Sequence, residues 1–416
     1  MIVSVIVGMM ARVEFEKIRS FEKHDRIREF PKLRTALLPQ SCPNFAMSRI
    51  AFVFLEILSC EGGIQSYVRD ILGALPSALD DRVADVFLLR DSCTVENPYT
   101  CDQLNFHYFK TSSPNLSRLR LIASLLAYII RSRPTHIYCG HINLAPMIRA
   151  ICQPFGIPFT VLTYGKEVWE PLGPSQQKAL QVSHKIWTIS RYSRDRLCAS
   201  NQVESKNVEF LYCAVDGRVF QPQSKDQALM KHYGFENNKV LMTVARLWSG
   251  DPYKGVDVTI RALPTIAKEF PNVKYLVVGR GDDQQRLATL AKELGMGDRV
   301  VFAGFVADGD LVKHYNLADA YIMPSQEGFG IVYLEAMACG VPVLSGDADG
   351  SADPLQDGRL GWQVPHRDPD AVAVATIEIL KGNDKRSDGK YLRSECLNIF
   401  DKSAIGVQLK ELLRSN

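Results

Sequence analysis

Residues 320–346, with the sequence AYIMPSQEGFGIVYLEAMACGVPVLSG, constrain the fold more than any other stretch of the chain. The apolar run 321–323 is typical of a strand buried in a parallel sheet, and Pro324 ends it. Apolar residues at helical spacing continue to Gly340, where the helix stops, and a second apolar run begins at Val341. The stretch therefore predicts a strand, a loop, a helix and a second strand, which is the repeating unit of a parallel sheet covered by helices.

Two carboxylates in this stretch, Glu327 and Glu335, are separated by eight positions. In one continuous helix they would be about 800° and about 12 Å apart, on different faces. With Glu327 in the loop and Glu335 in the helix, both can approach one cleft at the helix N-terminus, where free N–H groups and a partial positive charge favour phosphate. Two such glutamates are usually surface residues, but the loop glycines Gly328 and Gly330 and the flanking strands favour a site here.

Strand–helix alternation extends through both halves of the chain. Strands are predicted at 48–55, 83–89, 105–109, 137–139, 159–163, 186–189 and 208–211, and then at 240–244, 273–278, 299–303, 320–323, 341–344 and 361–364. Helices are predicted between them, and the last two helices are predicted at 369–381 and 388–415. This order predicts the α/β class, with two Rossmann-like, doubly wound parallel-sheet domains that face each other across a cleft.

Changes in composition along the chain suggest the domain boundaries. Residues 1–46 are dense in charge and interrupted by prolines. We interpret them as a loosely attached extension, disordered or outside the native start, with an added helix packed on the domain as the alternative. Residues 47–215 form the predicted N-terminal domain, residues 216–395 form the second domain, and residues 396–416 are expected to form a C-terminal helix.

Composition excludes several classes of protein. With 416 residues, 46% of them hydrophobic and 23% charged, the chain can form two sizeable cores. A net charge of +3 is too small to indicate a nucleic-acid partner. The ten cysteines form no C-x-x-C pair, so we expect reduced core cysteines of a cytoplasmic protein and no zinc site. No segment reaches the roughly 18 apolar residues needed to cross a membrane, and residues 1–10 make a poor signal peptide.

Three features of the first half are candidates for function. Gly62 and Gly63 lie between the first strand and the first helix, where glycines let backbone amides approach a ligand, although a glycine pair usually only makes a turn. His141 follows the strand 137–139, at the end where open α/β sheets bind ligands. The helix 116–130 carries arginines at both ends. Such a helix lies on anionic membranes in some proteins and packs on a core, with solvated ends, in most.

Two cations of the second half extend the candidate site. Arg246 follows the strand 240–244, and Lys254 precedes the helix that begins at Val256. Each alone would be an ordinary surface cation. Together with a helix N-terminus, they predict a binding place for a diphosphate.

The second half resembles the donor domain of the GT-B glycosyltransferases, in particular the large retaining family numbered four. The residues that carry the resemblance are VARLWSGDPYKGVDVTIRAL (244–263), VVGRGDD (277–283), RVVFAGFV (299–306), PSQEGFGIVYLEAMACGVPVLS (324–345) and DGSADPLQDGRLGWQV (349–364). The E-x7-E motif with its surroundings is the most specific of them. The first half matches more loosely, through the glycine pair, His141 and AVDGRVFQP (214–222). The resemblance implies a GT-B-like fold in which the C-terminal helix returns to the first domain.

The resemblance implies roles for residues of the second half. Arg246 and Lys254 would hold the diphosphate of a nucleotide sugar and neutralise the charge on it as it leaves. Glu335 would accept hydrogen bonds from the ribose hydroxyls, and Glu327 would contact hydroxyls of the donor sugar. Further donor-binding positions are those whose backbone would contact the sugar and phosphate, and those near the nucleobase: Phe329, Gly330 and Ile331, and then Phe305 and Val306.

In the first half, the resemblance implies that Gly62 and Gly63 offer backbone amides across the cleft. His141 would orient and polarise the reacting sugar, and it completes a catalytic group with Glu327 and the two cations. A second pattern of the family, His-Gly-x-Glu, occurs here as residues 164–167, YGKE. Tyr164 replaces the histidine, which argues against a catalytic role at that position.

The implied activity is that of a hexosyltransferase-type glycosyltransferase. It would move a sugar from a nucleoside-diphosphate sugar to an acceptor hydroxyl, with retention, in polysaccharide or glycolipid assembly. Because fixed cations replace a metal in this family, we expect no metal and no other cofactor. The rival signal is Asp347-Ala348-Asp349, a D-x-D triplet that binds a divalent metal in the other glycosyltransferase fold. The expected partners are a nucleotide sugar and a glycan or lipid-linked acceptor. The protein is expected in the cytoplasm, with peripheral contact at the inner face of the membrane as an open alternative.

Two other functions fit an α/β chain of this size. An inactive sugar-nucleotide-binding subunit of a glycan-assembly complex is disfavoured, because both glutamates, both cations and His141 occur together. A dinucleotide dehydrogenase is excluded, because residues 279–284, GRGDDQ, lack the third glycine of the fingerprint and do not form a first βα turn.

Overall fold

The computed structural model describes residues 48–250 and 254–415. The predicted extension 1–46 lies outside the described residues, as do residues 251–253 of the loop after Arg246. Residues Met47–Asn416 form one compact unit. Within it, strands and helices alternate as the sequence predicts.

The first half begins at a strand and continues as alternating elements. They are β1 (Arg49–Phe54), α1 (Gly63–Ala78), β2 (Val83–Leu88), β3 (Leu104–Tyr108), α2 (Pro114–Ser132), β4 (His136–Cys139), α3 (Ala145–Cys152), β5 (Phe159–Leu162), α4 (Pro174–Gln181), β6 (Lys185–Thr188), α5 (Arg191–Asn201) and β7 (Val208–Phe210).

The second half repeats the alternation. Its elements are α6 (Gln227–Tyr233), β8 (Lys239–Val244), α7 (Val256–Glu269), β9 (Val273–Val278), α8 (Gln284–Glu293), β10 (Val300–Gly304), α9 (Asp308–Tyr315), β11 (Ala320–Met323), α10 (Ile331–Ala338), β12 (Val343–Gly346), β13 (Trp362–Val364), α11 (Pro369–Lys381), α12 (Gly389–Phe400) and α13 (Lys402–Ser415).

The strands form two parallel sheets, which confirms the predicted fold class. The first sheet has the order β3-β2-β1-β4-β5-β6-β7, and the second has the order β10-β9-β8-β11-β12-β13. In each sheet the order reverses once, between β1 and β4 and between β8 and β11. Ligands of open sheets bind in the crevice at such a point, outside the carboxyl ends of the strands. The predicted glycine pair follows β1, His141 follows β4, Arg246 follows β8 and Glu327 follows β11.

Alternating side chains of the strands form separate cores on the two faces of the first sheet. Phe52 and Phe54 of β1 join one apolar cluster, and Val53 between them joins another. The cluster that holds Phe52 continues into the second half, where it includes Phe329 and Phe400. One apolar core therefore runs through both halves.

The C-terminal segment differs from its prediction at one residue. A single helix over 388–415 is wrong, because the chain is extended at Asp401 between α12 and α13. The Asp401 carboxylate accepts a hydrogen bond of 3.0 Å from the Ser403 N–H, as an N-cap does. Helix α13 then packs on α1, and its Lys410 and Arg414 pair with Asp80 at 2.5 and 2.8 Å. The last helix thus returns to the first half, as predicted.

Within the two described ranges, no helix has both the length and the apolar character needed to cross a membrane.

Candidate active site

Glu327 and Lys254 form an ion pair at the carboxyl end of the second sheet. The Lys254 Nζ donates to Glu327 Oε1 at 2.6 Å, and the two side chains are only 20% and 16% exposed. Lys254 comes from the loop after β8 and Glu327 from the loop after β11, so the pair joins the two loops that flank the reversal in strand order. The structure therefore brings together two residues that are 73 positions apart in the sequence.

The loop that carries Glu327 is fixed by its own backbone. The Glu327 N–H donates to Asp349 Oδ2 at 2.5 Å, and the Gly350 N–H donates to the Glu327 carbonyl oxygen at 2.8 Å. Burial raises the pKa of Asp349 to about 7. Since Asp349 also accepts from the Ser351 N–H, its carboxylate serves as a brace for the loop.

The two candidate carboxylates of the D-x-D triplet have different surroundings. Asp349 is buried against the Glu327 loop, whereas Asp347 accepts a hydrogen bond of 3.1 Å from the His366 N–H. Among residues 48–250 and 254–415, no group of three His, Cys, Asp or Glu side chains is arranged to hold a metal ion. The metal-free expectation stays a prediction.

Two glycines of this loop, Gly328 and Gly330, lie where a side chain would not fit. A Cβ at Gly328 would lie 2.7 Å from the Tyr164 carbonyl oxygen, so Gly328 allows the two halves to touch. Gly330 has a φ of +94° and precedes α10, and a Cβ there would lie 2.4 Å from the Tyr333 ring. Between them, the Phe329 ring is 1% exposed and packs in the shared core. The Phe329 side chain is therefore not accessible to a ligand, and the role of its backbone stays a prediction.

Glu335 lies in α10, one turn beyond Ile331, and is half-buried. The Tyr315 hydroxyl donates to Glu335 Oε2 at 2.6 Å. Burial raises the pKa of Glu335 to about 7, and the Tyr315 hydrogen bond acts in the opposite direction. Small changes of pH around neutrality therefore change the fraction of Glu335 that is ionised.

Arg246 reaches the same end of the sheet. It is exposed, with its guanidinium carbon 5.3 Å from the centre of the Trp248 ring. Arg246 and Lys254 line one narrow cavity together with Gly255 and Val256, where α7 begins. Two cations and the N–H groups of a helix start thus lie at one place. The two carboxylates of the same cavity, Asp257 and Asp283, are paired with Arg367 and Arg286, so the place still suits an anion.

Phe305 and Val306 follow β10 at the same edge of the sheet. Phe305 is 52% exposed, and the Arg280 guanidinium carbon lies 4.8 Å from its ring centre. Val306 is partly buried against the core. The exposed ring and its neighbouring arginine offer a flat surface on which a nucleobase can stack.

The first-half residues lie at the facing strand ends. His141 is half-buried, and burial together with the charge of Arg90 lowers its pKa. Its Nδ1 accepts a hydrogen bond of 3.1 Å from the Asn143 N–H, which leaves the proton on Nε2 as a donor. Gly62 and Gly63 are exposed at the start of α1, and a Cβ at Gly63 would meet no atom within 4 Å.

Tyr164 has a structural position. Its hydroxyl donates to the Gly140 carbonyl oxygen at 2.6 Å, directly before His141. Its N–H donates to Glu167 at 2.5 Å, and burial raises the pKa of Glu167. The tyrosine thus supports the strand end that carries His141, and the expectation that it is not catalytic stays a prediction.

Comparison with known proteins finds a family model that matches the second half of the chain and relatives that match more of it. The model of the family "Glycosyl transferases group 1" matches residues 225–391. A GDP-mannose-dependent alpha-(1-6)-phosphatidylinositol monomannoside mannosyltransferase of Mycolicibacterium smegmatis is 35% identical over 265 residues, which cover 60% of this chain and 68% of that protein. The chain belongs to the group 1 glycosyl transferases.

Other relatives of this group 1 glycosyl transferase extend over more of the chain. The mannosyltransferase of the same name from Mycobacterium tuberculosis is 28% identical over 372 residues, which cover 82% of this chain and 91% of the relative. The crystal structure of Anabaena Alr3699/HepE in complex with UDP has a TM-score of 0.71 at 21% identity, covering 89% of this chain and all of that one. The chain is therefore an enzyme, a hexosyltransferase that uses a nucleotide sugar.

Sequence reasoning missed several residues of the candidate site. Tyr315 and Asp349 hold Glu335 and Glu327 in place, and Arg280 stacks on Phe305. Arg191, from the first half, pairs with Asp353 of the second. Arg280 and Asp353 lie in stretches that carry the resemblance but had no assigned role, and Asp349 was noted as part of a D-x-D triplet that suggested a metal ligand rather than a brace.

Proposed function

We propose that this enzyme moves a hexose from a nucleoside-diphosphate hexose to a hydroxyl of a glycolipid or another glycan, with retention and without a metal ion. The observation that carries the proposal is the Lys254–Glu327 pair, held beside Arg246 at the start of α7. The names of the mycobacterial relatives support a hexose and a glycolipid acceptor, and make GDP-mannose the first donor to test.

The two cations act on the leaving group. When the bond between the anomeric carbon and the diphosphate oxygen breaks, negative charge grows on the diphosphate, and Arg246 and Lys254 stabilise it. Before the donor arrives, Glu327 balances the charge of Lys254. A diphosphate competes for the Lys254 ammonium, and Glu327 then becomes available to accept hydrogen bonds from the sugar hydroxyls.

The remaining residues position the donor and the acceptor. Ionised Glu335 accepts hydrogen bonds from the ribose hydroxyls, and the base stacks near Phe305 and Val306. The backbone of Gly330 and Ile331, with that of Gly62 and Gly63 across the cleft, binds the sugar and phosphate. His141 is neutral near pH 7 because its pKa is lowered, so it donates from Nε2 without adding a positive charge.

The donor is tested by thermal unfolding with a panel of UDP, GDP and ADP sugars, since a ligand that binds only the folded state raises its stability. The sugar nucleotide with the largest shift then enters a transfer assay. The anomeric configuration of the product, read by NMR, tests retention. The absence of transfer from every sugar nucleotide of the panel would contradict the proposed function.

The metal-free mechanism has its own test. Activity in excess EDTA is expected to equal activity without it, because Arg246 and Lys254 supply the positive charge. Loss of activity in EDTA that Mn²⁺ restores would contradict this and point to Asp347 and Asp349.

A peripheral membrane contact is the second part of the proposal. Leu116, Leu119 and Ile130 of α2 are 47%, 54% and 59% exposed. The helix contains no acidic residue, and arginines lie at both of its ends. Exposed apolar side chains flanked by cations suit an anionic bilayer surface at the inner face of a membrane.

Sedimentation with vesicles tests this contact. The wild-type protein is expected to bind phosphatidylglycerol vesicles and not phosphatidylcholine vesicles. Leu119→Asp with Ile130→Asp should weaken binding at least about 10-fold, because about 3 kcal/mol of apolar burial is lost and negative charge is added. Val407→Asp, an equally exposed apolar position on α13, is the control. Equal binding by both variants would contradict the contact.

A further inference from the structure

Two adjoining cavities open at the carboxyl end of the first sheet, on the acceptor side. One, of about 230 Å³, is lined by His141, Asn143 and Gln65. The other, of about 220 Å³, is lined by Lys110, Thr111 and Arg118, where β3 ends and α2 begins. Glu56 and Arg90 line both cavities, so the two are parts of one groove. The donor machinery described above uses only the His141 part.

The cavity beyond Arg90 is positively charged. Three cations line it, Arg90, Lys110 and Arg118, against the single carboxylate of Glu56. Arg90 is 3.4 Å from Glu56, whereas Lys110 and Arg118 have no carboxylate partner among the described residues. The three cations are exposed, so solvent screens their mutual repulsion, and an anion bound in the cavity would be attracted by all three.

We propose that this cavity binds a phosphate group of the acceptor, held by Arg90, Lys110 and Arg118. The inference rests on the proposed function, since it deepens the assignment of the acceptor. Arginine forks and an ammonium group match the oxygens of a phosphate ester or diester. The acceptor hydroxyl lies in the neighbouring cavity beside His141, so one molecule spans both parts of the groove.

The groove also adjoins the proposed membrane surface. Arg118 lies in the first turns of α2, the helix whose Leu119 and Ile130 are exposed. A lipid headgroup at the bilayer surface therefore reaches the cavity from the side of α2. A free sugar phosphate reaches it from solvent and presents the same chemistry.

Binding is measured by calorimetry on the full-length protein, with inositol 1-phosphate as the probe and inositol as its uncharged match. Saturating nucleoside diphosphate, chosen from the thermal panel, fills the donor site so that phosphate cannot bind at Lys254. The double variant Lys110→Gln with Arg118→Gln is compared with Lys178→Gln with Arg196→Gln. The second pair has the same residue types in the same half and lines neither cavity.

The wild-type protein is expected to bind inositol 1-phosphate at least about 10-fold more tightly than inositol. The Lys110/Arg118 variant should lose about 10-fold in affinity for each cation removed, and the Lys178/Arg196 variant should lose none. Thermal shifts with the nucleoside diphosphate confirm that both variants fold and keep the donor site. Equal affinities of the wild type and the Lys110/Arg118 variant for the phosphate, together with equal transfer to phosphatidylinositol, would overturn the proposal.

A second arm separates the two sources of phosphate and covers a lipid acceptor that the soluble probe does not imitate. Transfer to phosphatidylinositol in vesicles is compared with transfer to inositol 1-phosphate. A loss in the Lys110/Arg118 variant for either acceptor supports the subsite and identifies the source. No loss with either acceptor overturns it, while transfer itself leaves the proposed function standing. Phosphate binding without transfer from any donor would instead retain the subsite and remove the proposed function.

Discussion

The two halves of the molecule have the same architecture, but their candidate site residues differ in whether they have hydrogen-bond or ion-pair partners. In the second half, the candidate side chains are already tied to partners: Lys254 to Glu327, and Glu335 to Tyr315. In the first half, the glycine pair is exposed and two cations of the groove have no carboxylate partner among the described residues. Fixed geometry on the donor side suits the stabilisation of charge on a leaving group, whereas an open acceptor side leaves room for a substrate to bind.

The largest expected effect lies on the donor side. Lys254→Ala removes one of the two cations proposed to stabilise the diphosphate, and we expect turnover to fall by about 100- to 1,000-fold, the loss typical of one stabilising donor at a developing charge. Steady-state kinetics with the identified donor measure it. Lys313→Ala is the matched control, because Lys313 forms an exposed ion pair with Asp310 at 3.1 Å in the same half. Similar turnover in the two variants would refute the view that the donor side holds the catalytic charge.

The sequence predicts those features of the donor side that depend on local patterns, but not the contacts between residues that are far apart in the sequence. Alternating apolar runs predicted the strands and their class, and the E-x7-E motif singled out Glu327 and Glu335. The supporting contacts of Tyr315 and Asp349 were not predicted, because these residues lie 20 and 22 positions from the glutamates that they contact. Such contacts depend on how neighbouring loops pack, which local periodicity does not encode.

On the acceptor side, less was predictable. His141 was found from its place after a strand, yet the groove beside it was missed. Arg90, Lys110 and Arg118 come from three separate elements, and each looks like an ordinary surface cation in the sequence. Only the strand order brings them to one cavity. The break at Asp401 was missed because the apolar pattern continues across it.

A smaller effect is expected on the pH dependence of donor affinity, through Glu335, the residue proposed to bind the ribose. Because burial raises the pKa of Glu335 to about 7, the group is mostly protonated below that pH and ionised above it. Donor affinity should rise as the pH increases from 6 to 8, since the ionised form accepts two hydrogen bonds. Glu335→Gln should flatten this rise and cost about 10-fold in affinity at pH 8. Calorimetry at pH 6, 7 and 8 measures both.

The same shift has a consequence for folding. The native state holds the Glu335 proton up to about pH 7, whereas the unfolded chain releases it near the ordinary carboxyl value. The contribution of Glu335 to the free energy of unfolding therefore falls as the pH rises between these two values.

In the measurement of donor affinity, Glu293→Gln is the control for titration of the nucleotide itself, because Glu293 is an exposed position on α8. A pH dependence unchanged by Glu335→Gln would place the titration elsewhere.

Arg191 tests how tightly the two halves are joined. Its side chain pairs with Asp353, and its Nη2 donates to Asp357 at 2.7 Å. Arg191→Ala should lower the free energy of unfolding by about 1–2 kcal/mol, because Asp353 is buried but keeps a hydrogen bond of 2.6 Å from the Arg191 N–H. Urea unfolding measures the change. Arg196→Ala, whose partner Glu170 is exposed, should change stability by less than about 1 kcal/mol. Equal effects would mean that the contact across the halves adds nothing.

The smallest effect is expected at Tyr164, where the acceptor half departs from the pattern of its family. Tyr164→Phe removes the hydroxyl that donates to the buried Gly140 carbonyl oxygen, so stability should fall by about 1 kcal/mol. Turnover should change by less than about 5-fold, because the tyrosine only supports the strand end before His141. Thermal unfolding and kinetics are measured on one preparation. A loss of turnover as large as that of Lys254→Ala would break the comparison, since it would place catalytic chemistry at Tyr164 in the half whose candidate site is open.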